Sequence, residues 1–362
     1  MRDLLTLPKV DLHVHLEGSM RPSTVVELAR RHGVELPEGL REGRYVFRDF
    51  RHFIDQWVAG LECLRDPDDF RRISREFCED QAAQGVRYAE VSFSLPEHGS
   101  RLADWDGPVL AVLEGFAEGA SVGITCRMYV DLVRGLPLEL SRLALASAIR
   151  HREDGVFAVG LGGDERHPPE RYRDLFRQAR DAGLRSLPHA GETAGPESIR
   201  GALDALAADR LGHGIRALED PTLLEELRER QVPLDVCITS NVSTRVVASL
   251  EAHPLPGLLA AGLHVTVNDD DPSMFSSRLG DEYARLRHVF GLTDEEIVEL
   301  ARAGVRASFA DASMKASLEQ DIDDWLSAGS GRAEGAPSGS LRKGTAPGGK
   351  QAEPTAVGTD DR

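Results

Sequence analysis

The sequence predicts an α/β protein, a (β/α)8 TIM barrel with helical insertions after the first strand and a disordered C-terminal tail. Eight short β-like segments alternate with helical segments along most of the 362 residues, and this alternation is typical of a parallel sheet. A count of eight favours closure into a barrel over an open, doubly wound sheet.

Each predicted strand is short, and most are rich in Val, Leu, Ile or Tyr. In chain order they read KVDLHVH, VRYAEVSFSL, ITCRMYVDL, VFAVGLG, LRSLPHA, DRLGHGI, VPLDVCI and LHVTVND. Because all strands of such a barrel run parallel, their carboxyl ends share one face. Polar residues that end different strands are therefore expected to meet at one mouth.

Between the strands, Leu and Ala recur at three- and four-residue spacing, which indicates helices. The candidates read PSTVVELARRHG, DDFRRISREFCEDQAAQG, PERYRDLFRQARDAG, PESIRGALDALAAD, DPTLLEELRERQ and PLPGLLAAG. Several end in Gly, as helix C-caps do. Residues 35–75 are interpreted as helical insertions between the first and second strands.

The composition changes near residue 328. Residues 328–362 are dominated by Gly, Ser, Pro, Ala and charged side chains, with almost nothing apolar to bury. They are predicted to be disordered and to carry no catalytic residue. Residues 1–327 contain no evident linker or repeat and are predicted to form one barrel domain.

Charge and cysteine content exclude several classes of protein. The formal net charge is −17, and so negative a chain repels phosphate backbones, so no nucleic-acid partner is expected. The four cysteines form no CxxC pair, which argues against a disulfide framework or a cysteine zinc site; they are Cys63, Cys78, Cys126 and Cys237. The N-terminus lacks the apolar core of a signal peptide, and no apolar run approaches about 18 residues. We therefore expect a cytoplasmic protein with reduced thiols and no membrane segment.

His13 and His15 close the first predicted strand. Residues i and i+2 of a strand point to the same side, so this pair offers two imidazole nitrogens to one point. His189 ends the fifth strand and Asp270 follows the eighth. Three imidazoles and a carboxylate suit zinc, with iron, cobalt or manganese as alternatives.

Three further polar residues stand beside these strand ends. Glu192 lies about one turn beyond His189 and could donate a proton, although an acidic residue at a helix start is also favoured by the dipole. His213 could orient and deprotonate a water molecule, and its neighbours Gly212 and Gly214 are expected to leave space around its ring. Asp271 could accept a hydrogen bond from a substrate while its neighbour binds the metal.

Together these residues resemble the adenosine deaminase family of the amidohydrolase superfamily. The motifs that match are PKVDLHVHLEGSMRP, GLGGDE, PHAGET, RLGHGI, CITSN and VTVNDDDPSMF, in this order from Pro8 to Ala316. The resemblance implies a hydrolytic deaminase that acts at C6 of an adenine nucleoside and releases ammonia. It also implies one zinc ion per chain, and a role for each residue that matches the motifs. The implied metal ligands are His13, His15, His189 and Asp270; Glu192 protonates N1, His213 activates the water, Asp271 binds N7, Gly163 approaches N3, Glu17 contacts the ribose end, and His15 also faces the substrate.

Three positions depart from the family pattern. Asp269 stands where Ser or Thr is usual, and Ile238 replaces the proline of CPTSN. The usual Asp-Leu-Ala-Gly-Asp-Glu reads Gly-Leu-Gly-Gly-Asp-Glu from Gly160, which looks like the branch that acts on aminodeoxyfutalosine in menaquinone synthesis. The HLEGS motif looks closer to adenine deaminases. A side chain lost at the pocket floor or ribose end would admit a different substrate group.

Other functions remain as alternatives to an adenosine or 2′-deoxyadenosine deaminase. Within the family these are aminodeoxyfutalosine deaminase and adenine deaminase. A phosphotriesterase-like or lactonase-like hydrolase usually needs a lysine that bridges two metals, and no lysine lies between Lys9 and Lys315. A binding protein that has lost catalysis would not need the full set of metal and proton-transfer residues. A cytidine-deaminase fold is excluded because PCxxC is absent. The oligomeric state is left open.

Overall fold

The computed structural model describes residues 2–48 and 50–330 of the chain. Eight parallel strands form one sheet in the sequence order β1 to β8. They are β1 Lys9–His15, β2 Val86–Phe93, β3 Thr125–Val133, β4 Val156–Gly162, β5 Arg185–Ala190, β6 Leu211–His213, β7 Leu234–Val236 and β8 Val265–Val267. All eight predicted strands are present, although β6, β7 and β8 are shorter than predicted.

The edges of the sheet meet just beyond β8. An isolated parallel bridge pairs Val14 of β1 with Asp270. The backbone N–H of His15 donates to the Asp270 carbonyl at 2.8 Å, and the Asp270 N–H donates to the His13 carbonyl at 3.0 Å. The predicted (β/α)8 barrel is thereby confirmed, in a nearly closed form.

Helices connect the strands and cover the outside of the barrel. They are α1 Pro22–His32, α2 Glu38–Arg41, α3 Phe50–Leu61, α4 Pro67–Ala82, α5 Leu95–Leu102, α6 Gly107–Gly119, α7 Leu138–Arg150, α8 Arg173–Asp181, α9 Pro196–Ala205, α10 Pro221–Arg230, α11 Ile238–Ser243, α12 Leu255–Ala260, α13 Pro272–Phe275, α14 Leu279–His288, α15 Asp294–Ala307 and α16 Ala312–Ser330. Four of them, α1 to α4, separate β1 from β2 and include the predicted insertions. The last helix ends at Ser330, inside the segment predicted to be disordered, and the rest of that segment lies outside the described residues.

The barrel interior is fixed by apolar strand residues and by a network around a buried arginine. Every residue of β1 and of β4 is buried. Arg210, just before β6, is also buried; it lies 2.7 Å from Glu90 of β2 and 2.5 Å from Asp235 of β7. Arg210 also donates to the Leu12 carbonyl at 2.8 Å, so it links the start of β6 to β1, β2 and β7. A buried charge with this many partners is satisfied.

All four cysteines are free thiols. Within residues 2–48 and 50–330, the helices are too short or too polar to cross a lipid bilayer.

Candidate active site

Four side chains that the sequence predicts as metal ligands lie at the carboxyl ends of the strands. His13 and His15 are two positions apart on β1, so both side chains point to the same side of the strand, into the barrel mouth. His189 stands near the end of β5, and Asp270 follows β8 at the bridge that closes the sheet. All four are buried. Barrel topology therefore gathers residues from three distant parts of the sequence.

The distances between these groups are short. Asp270 Oδ1 lies 3.3 Å from His15 Nε2 and 3.6 Å from His13 Nε2. The rings of His13 and His189 have centroids 4.5 Å apart, and those of His15 and His189 are 5.2 Å apart. His213 joins the group, since its ring nitrogen lies within 4.8 Å of ligand atoms of both His13 and His189.

The donor atoms fit a divalent cation. The Nε2 atoms of His13 and His189 are buried and have no hydrogen-bond partner in the described part of the chain. Burial lowers the pKa of His13 to about 4, and burial together with neighbouring histidines lowers the pKa of His189 well below its usual value. Both rings therefore present neutral nitrogens, the form that binds a metal.

Carboxylates around His15 give the same region a demand for positive charge. Burial by itself lowers the pKa of His15, but Asp271, Asp270 and Asp131 together raise it to about 10. A buried histidine with so high a pKa indicates that the surrounding carboxylates favour a positive charge at this position. The site thus combines free imidazole nitrogens with several buried carboxyl groups, which are ligands that suit a divalent metal.

Two residues of the mouth have strained backbones. His213 has φ 64° and Asp270 has φ 65°, in the left-handed region that non-glycine residues rarely occupy. Such conformations cost of order 1–3 kcal/mol each and persist where the surrounding structure enforces them. Here both aim a side chain at the histidine cluster.

Glu192 stands on the loop after β5, beside His213. Its Oε2 lies 3.6 Å from His213 Nε2. Burial raises the pKa of Glu192 to about 7, so a substantial fraction of this carboxyl is protonated at neutral pH. It is therefore suited to give a proton to a base, as general acids in enzymes are.

The sequence of the chain matches the model of the adenosine deaminase family over residues 8–325. The chain belongs to the adenosine deaminase family. It is 40% identical over 331 residues to an aminodeoxyfutalosine deaminase of Streptomyces coelicolor. The matched region covers 89% of this chain and 85% of the relative. It is therefore related to hydrolytic deaminases along nearly the whole barrel.

Solved structures of related proteins share this fold. An adenine deaminase of Arthrobacter aurescens superposes with a TM-score of 0.81 at 34% identity, over 88% of this chain and 99% of that protein. A zinc-bound amidohydrolase of Burkholderia ambifaria gives a TM-score of 0.82 at 26% identity, over 91% and 94% of the two chains. The predicted family is confirmed.

The other predicted substrate-facing residues occupy the same mouth in different ways. Asp271 is buried, and its Oδ1 has no partner among the described residues. Glu17 is also buried; its Oε1 accepts hydrogen bonds from the Ser94 N–H at 2.9 Å and from His98 Nε2 at 3.0 Å. Gly163 follows β4 with φ 87°, a conformation that suits glycine. Asp271 thus presents a free carboxyl oxygen, whereas Glu17 is partly occupied by hydrogen bonds within the protein.

The glycines on either side of His213 allow other side chains to pack closely against the backbone. A Cβ atom at Gly212 would lie 2.6 Å from His13 Cε1, and one at Gly214 would lie 2.7 Å from Leu234 Cδ2. The two glycines therefore make room for His13 and Leu234; that they also leave space around the ring of His213 stays a prediction. That ring is contacted by Asn241 of the CITSN motif, with Nδ2 3.3 Å from His213 Nδ1.

Two departures from the family pattern have a structural explanation. Asp269 lies apart from the histidine cluster, because Gln81 of α4 donates to it at 3.1 Å and to Asp11 at 2.9 Å. It does not compete with Asp270. Ile238 is the buried first residue of α11, a helix position that proline also favours. Neither change alters the cluster.

Sequence reasoning missed three residues of the site. Glu165, within the quoted GLGGDE motif, accepts hydrogen bonds from the Gly191, Glu192 and Thr193 N–H groups at 2.8 Å each. Asp131 of β3 lies 3.6 Å from His15 Nδ1. Cys237 lies within 4.8 Å of ligand atoms of His13 and Asp270, but burial raises the pKa of its thiol well above the usual value, so it stays protonated. The motif marked Glu165, whereas Asp131 had no signal beyond an acidic residue in an apolar strand.

Proposed function

We propose that this chain is a zinc-dependent hydrolase that removes the 6-amino group of an adenine nucleoside. The observation that carries the proposal is the buried cluster of His13, His15, His189 and Asp270 with a protonatable Glu192 and His213 beside it. Family membership makes hydrolytic deamination the reaction that these groups serve.

His13, His15, His189 and Asp270 would hold the zinc ion, and the unpartnered Nε2 atoms of His13 and His189 support this assignment. When bound, zinc lowers the pKa of coordinated water to about 7 and supplies hydroxide at neutral pH. Oδ1 of Asp271 has no partner among the described residues, and burial together with Asp270 raises the pKa of this carboxyl well above its usual value. The protonated carboxyl can therefore donate a hydrogen bond to N7 of the purine.

Glu192 and His213 would move the protons. Glu192 gives a proton to N1 of the ring, which makes C6 electrophilic, while His213 takes a proton from the attacking water. The C6–O bond forms, and the proton taken by His213 passes to the amino nitrogen, so that the C6–N bond breaks and ammonia leaves. The remaining proton on the C6 oxygen returns to Glu192, which leaves the 6-oxo group and restores both side chains. Water and substrate are consumed and a 6-oxopurine and ammonia are produced, with no redox change.

The substrate has a second candidate, aminodeoxyfutalosine, an adenine nucleoside with a modified sugar end. It is favoured by the Gly160-to-Gly163 run and by the relative from Streptomyces coelicolor. Free adenine is the substrate in the name of the structural neighbour from Arthrobacter aurescens. All three substrates share the 6-aminopurine ring that the proposed residues address.

Ammonia release from a panel of substrates tests the proposal. Zinc-loaded protein is incubated with adenosine, 2′-deoxyadenosine, adenine and aminodeoxyfutalosine, and metal content is measured in parallel. We expect one zinc per chain and turnover of at least one nucleoside. Turnover of adenine alone would overturn the nucleoside assignment, and no turnover of any compound would overturn the function. Two metals per chain would count against a single-zinc site.

A further inference from the structure

We propose that Asp131 is a positioning residue, which holds the imidazole of His15 so that Nε2 faces the metal site. The inference rests on the proposed zinc function. It starts from the two edges of the His15 ring. Nε2 lies 3.3 Å from Asp270 Oδ1, and Nδ1, on the opposite edge, lies 3.6 Å from Asp131 Oδ2.

A metal-binding histidine needs a partner for its second ring nitrogen. Such a histidine almost always donates that N–H to a carboxylate, a carbonyl or a water, which fixes both the tautomer and the ring plane. Asp131 is the carboxylate beside Nδ1 of His15, and a small adjustment would complete the hydrogen bond. A proton held on Nδ1 leaves the Nε2 lone pair free for a metal.

The Asp131 carboxylate is itself held in place. The residue is 1% exposed, and its Oδ2 accepts a hydrogen bond from Ser92 Oγ on the neighbouring strand β2. Its Oδ1 has no partner within the described chain. The same carboxylate lies 4.0 Å from His189 Nε2. An incompletely satisfied buried carboxylate is costly unless a function or another charge retains it.

Glycines on the adjacent strand make room for this carboxylate. Asp131 of β3 and Gly160 of β4 are register partners. A Cβ atom at Gly160 would overlap Asp131 Oδ1, whereas one at Gly162 would sit 3.7 Å from Asp131 Oδ2, an ordinary contact. The family pattern has an aspartate where Gly160 stands, and here the Asp131 carboxylate takes the space that a side chain at that position would need. The space that the glycine leaves is filled from within the protein.

Zinc affinity tests the role of Asp131 without measuring activity. Metal-free protein is titrated against a chromophoric zinc chelator, and folding is checked by circular dichroism and thermal unfolding. We expect D131A to weaken zinc binding about 10- to 100-fold, as loss of such a partner does. Wild-type affinity in folded D131A would overturn the inference, whereas failure of the wild type to bind zinc would overturn the proposed function instead.

A strand-exchange variant separates positioning from simple loss of structure. The double variant D131A/G160D removes the carboxylate on β3 and supplies one from β4 instead, and we expect its zinc affinity to lie within a few-fold of wild type. G160A should weaken zinc binding by displacing Asp131, whereas its matched control G162A, which has room for a methyl group, should not. If the double variant binds zinc no better than D131A, or if G160A and G162A behave alike, the exchange is wrong. Should D131A fail to fold, the folded G160A and G162A pair still decides.

Discussion

Replacing Glu165 with glutamine should both destabilise the protein and slow its catalysis, because this carboxylate holds the loop that carries Glu192. Three consecutive backbone N–H groups of that loop donate to Glu165 at 2.8 Å each. Burial alone would raise the pKa of Glu165. That pKa nevertheless lies below its usual value, because Ser198 and the loop donate hydrogen bonds to the carboxylate and Arg134 lies near it. The group is therefore ionised at neutral pH.

The size of the effect follows from these bonds. Hydrogen bonds to a charged group contribute about 1.5–3 kcal/mol each, and a buried donor left unpaired costs about 1–3 kcal/mol. Glutamine keeps one acceptor oxygen but replaces the other with a donor. We expect the free energy of unfolding to fall by about 3 kcal/mol, which lowers Tm by about 4 °C in a chain of this size. Because a displacement of about 1 Å can cost 10²-fold in rate, kcat should fall about 100-fold.

Thermal unfolding and steady-state kinetics of E165Q measure both effects. The matched control is D164N, since the neighbouring Asp164 is half-buried and pairs with the exposed Arg166. A surface change of this kind stays within about 0.5 kcal/mol. If E165Q and D164N showed the same Tm and the same kcat, the loop would not depend on Glu165.

Three further changes test other parts of the site. E192Q should bind zinc and fold normally, but its kcat should fall about 10²–10⁴-fold. Because burial raises the pKa of Glu192 to about 7, the wild-type kcat/KM should fall as pH rises through that value. A rate that still rises at pH 9 would contradict the role of Glu192 as an acid. H13A should lose zinc in elemental analysis, and stoichiometric zinc would refute its role as a ligand. Burial raises the pKa of Asp11 to about 8 and that of Asp269 well above its usual value. The folded protein therefore holds protons that the unfolded chain releases, and its free energy of unfolding falls as pH rises. D269S should therefore raise Tm more at pH 8 than at pH 5, and equal shifts would exclude this coupling.

Strand patterning predicted the barrel because its signal is local. Val, Leu and Ile runs mark β1 and β4, which are buried along their whole length. The predicted DRLGHGI shrinks to Leu211–His213 in the structure, since only residues that pair with β5 and β7 count as strand. Such ends depend on partners that a single segment does not reveal.

The histidine cluster was predictable from topology, whereas its supports were not. Parallel strands place His13, His15 and His189 at one face whatever the details of packing. The contact between Asp131 and His15, however, depends on the register of β3 against β4 and on the space at Gly160. Register and side-chain clearance are properties of the folded barrel, and no periodicity in ITCRMYVDL encodes them.

Barrel closure and the candidate metal centre are one structural feature. The backbone N–H and carbonyl of Asp270 bond to His13 and His15, and its carboxylate faces the Nε2 atoms of the same two residues. The positive φ of Asp270 permits both sets of contacts at once. Ligands that barrel closure already holds in place lose little conformational freedom when a metal binds, so the metal binds more tightly than it would to flexible ligands. A cation bound only by the folded chain must in turn stabilise the seam, which makes closure of the barrel and binding of the metal reciprocal.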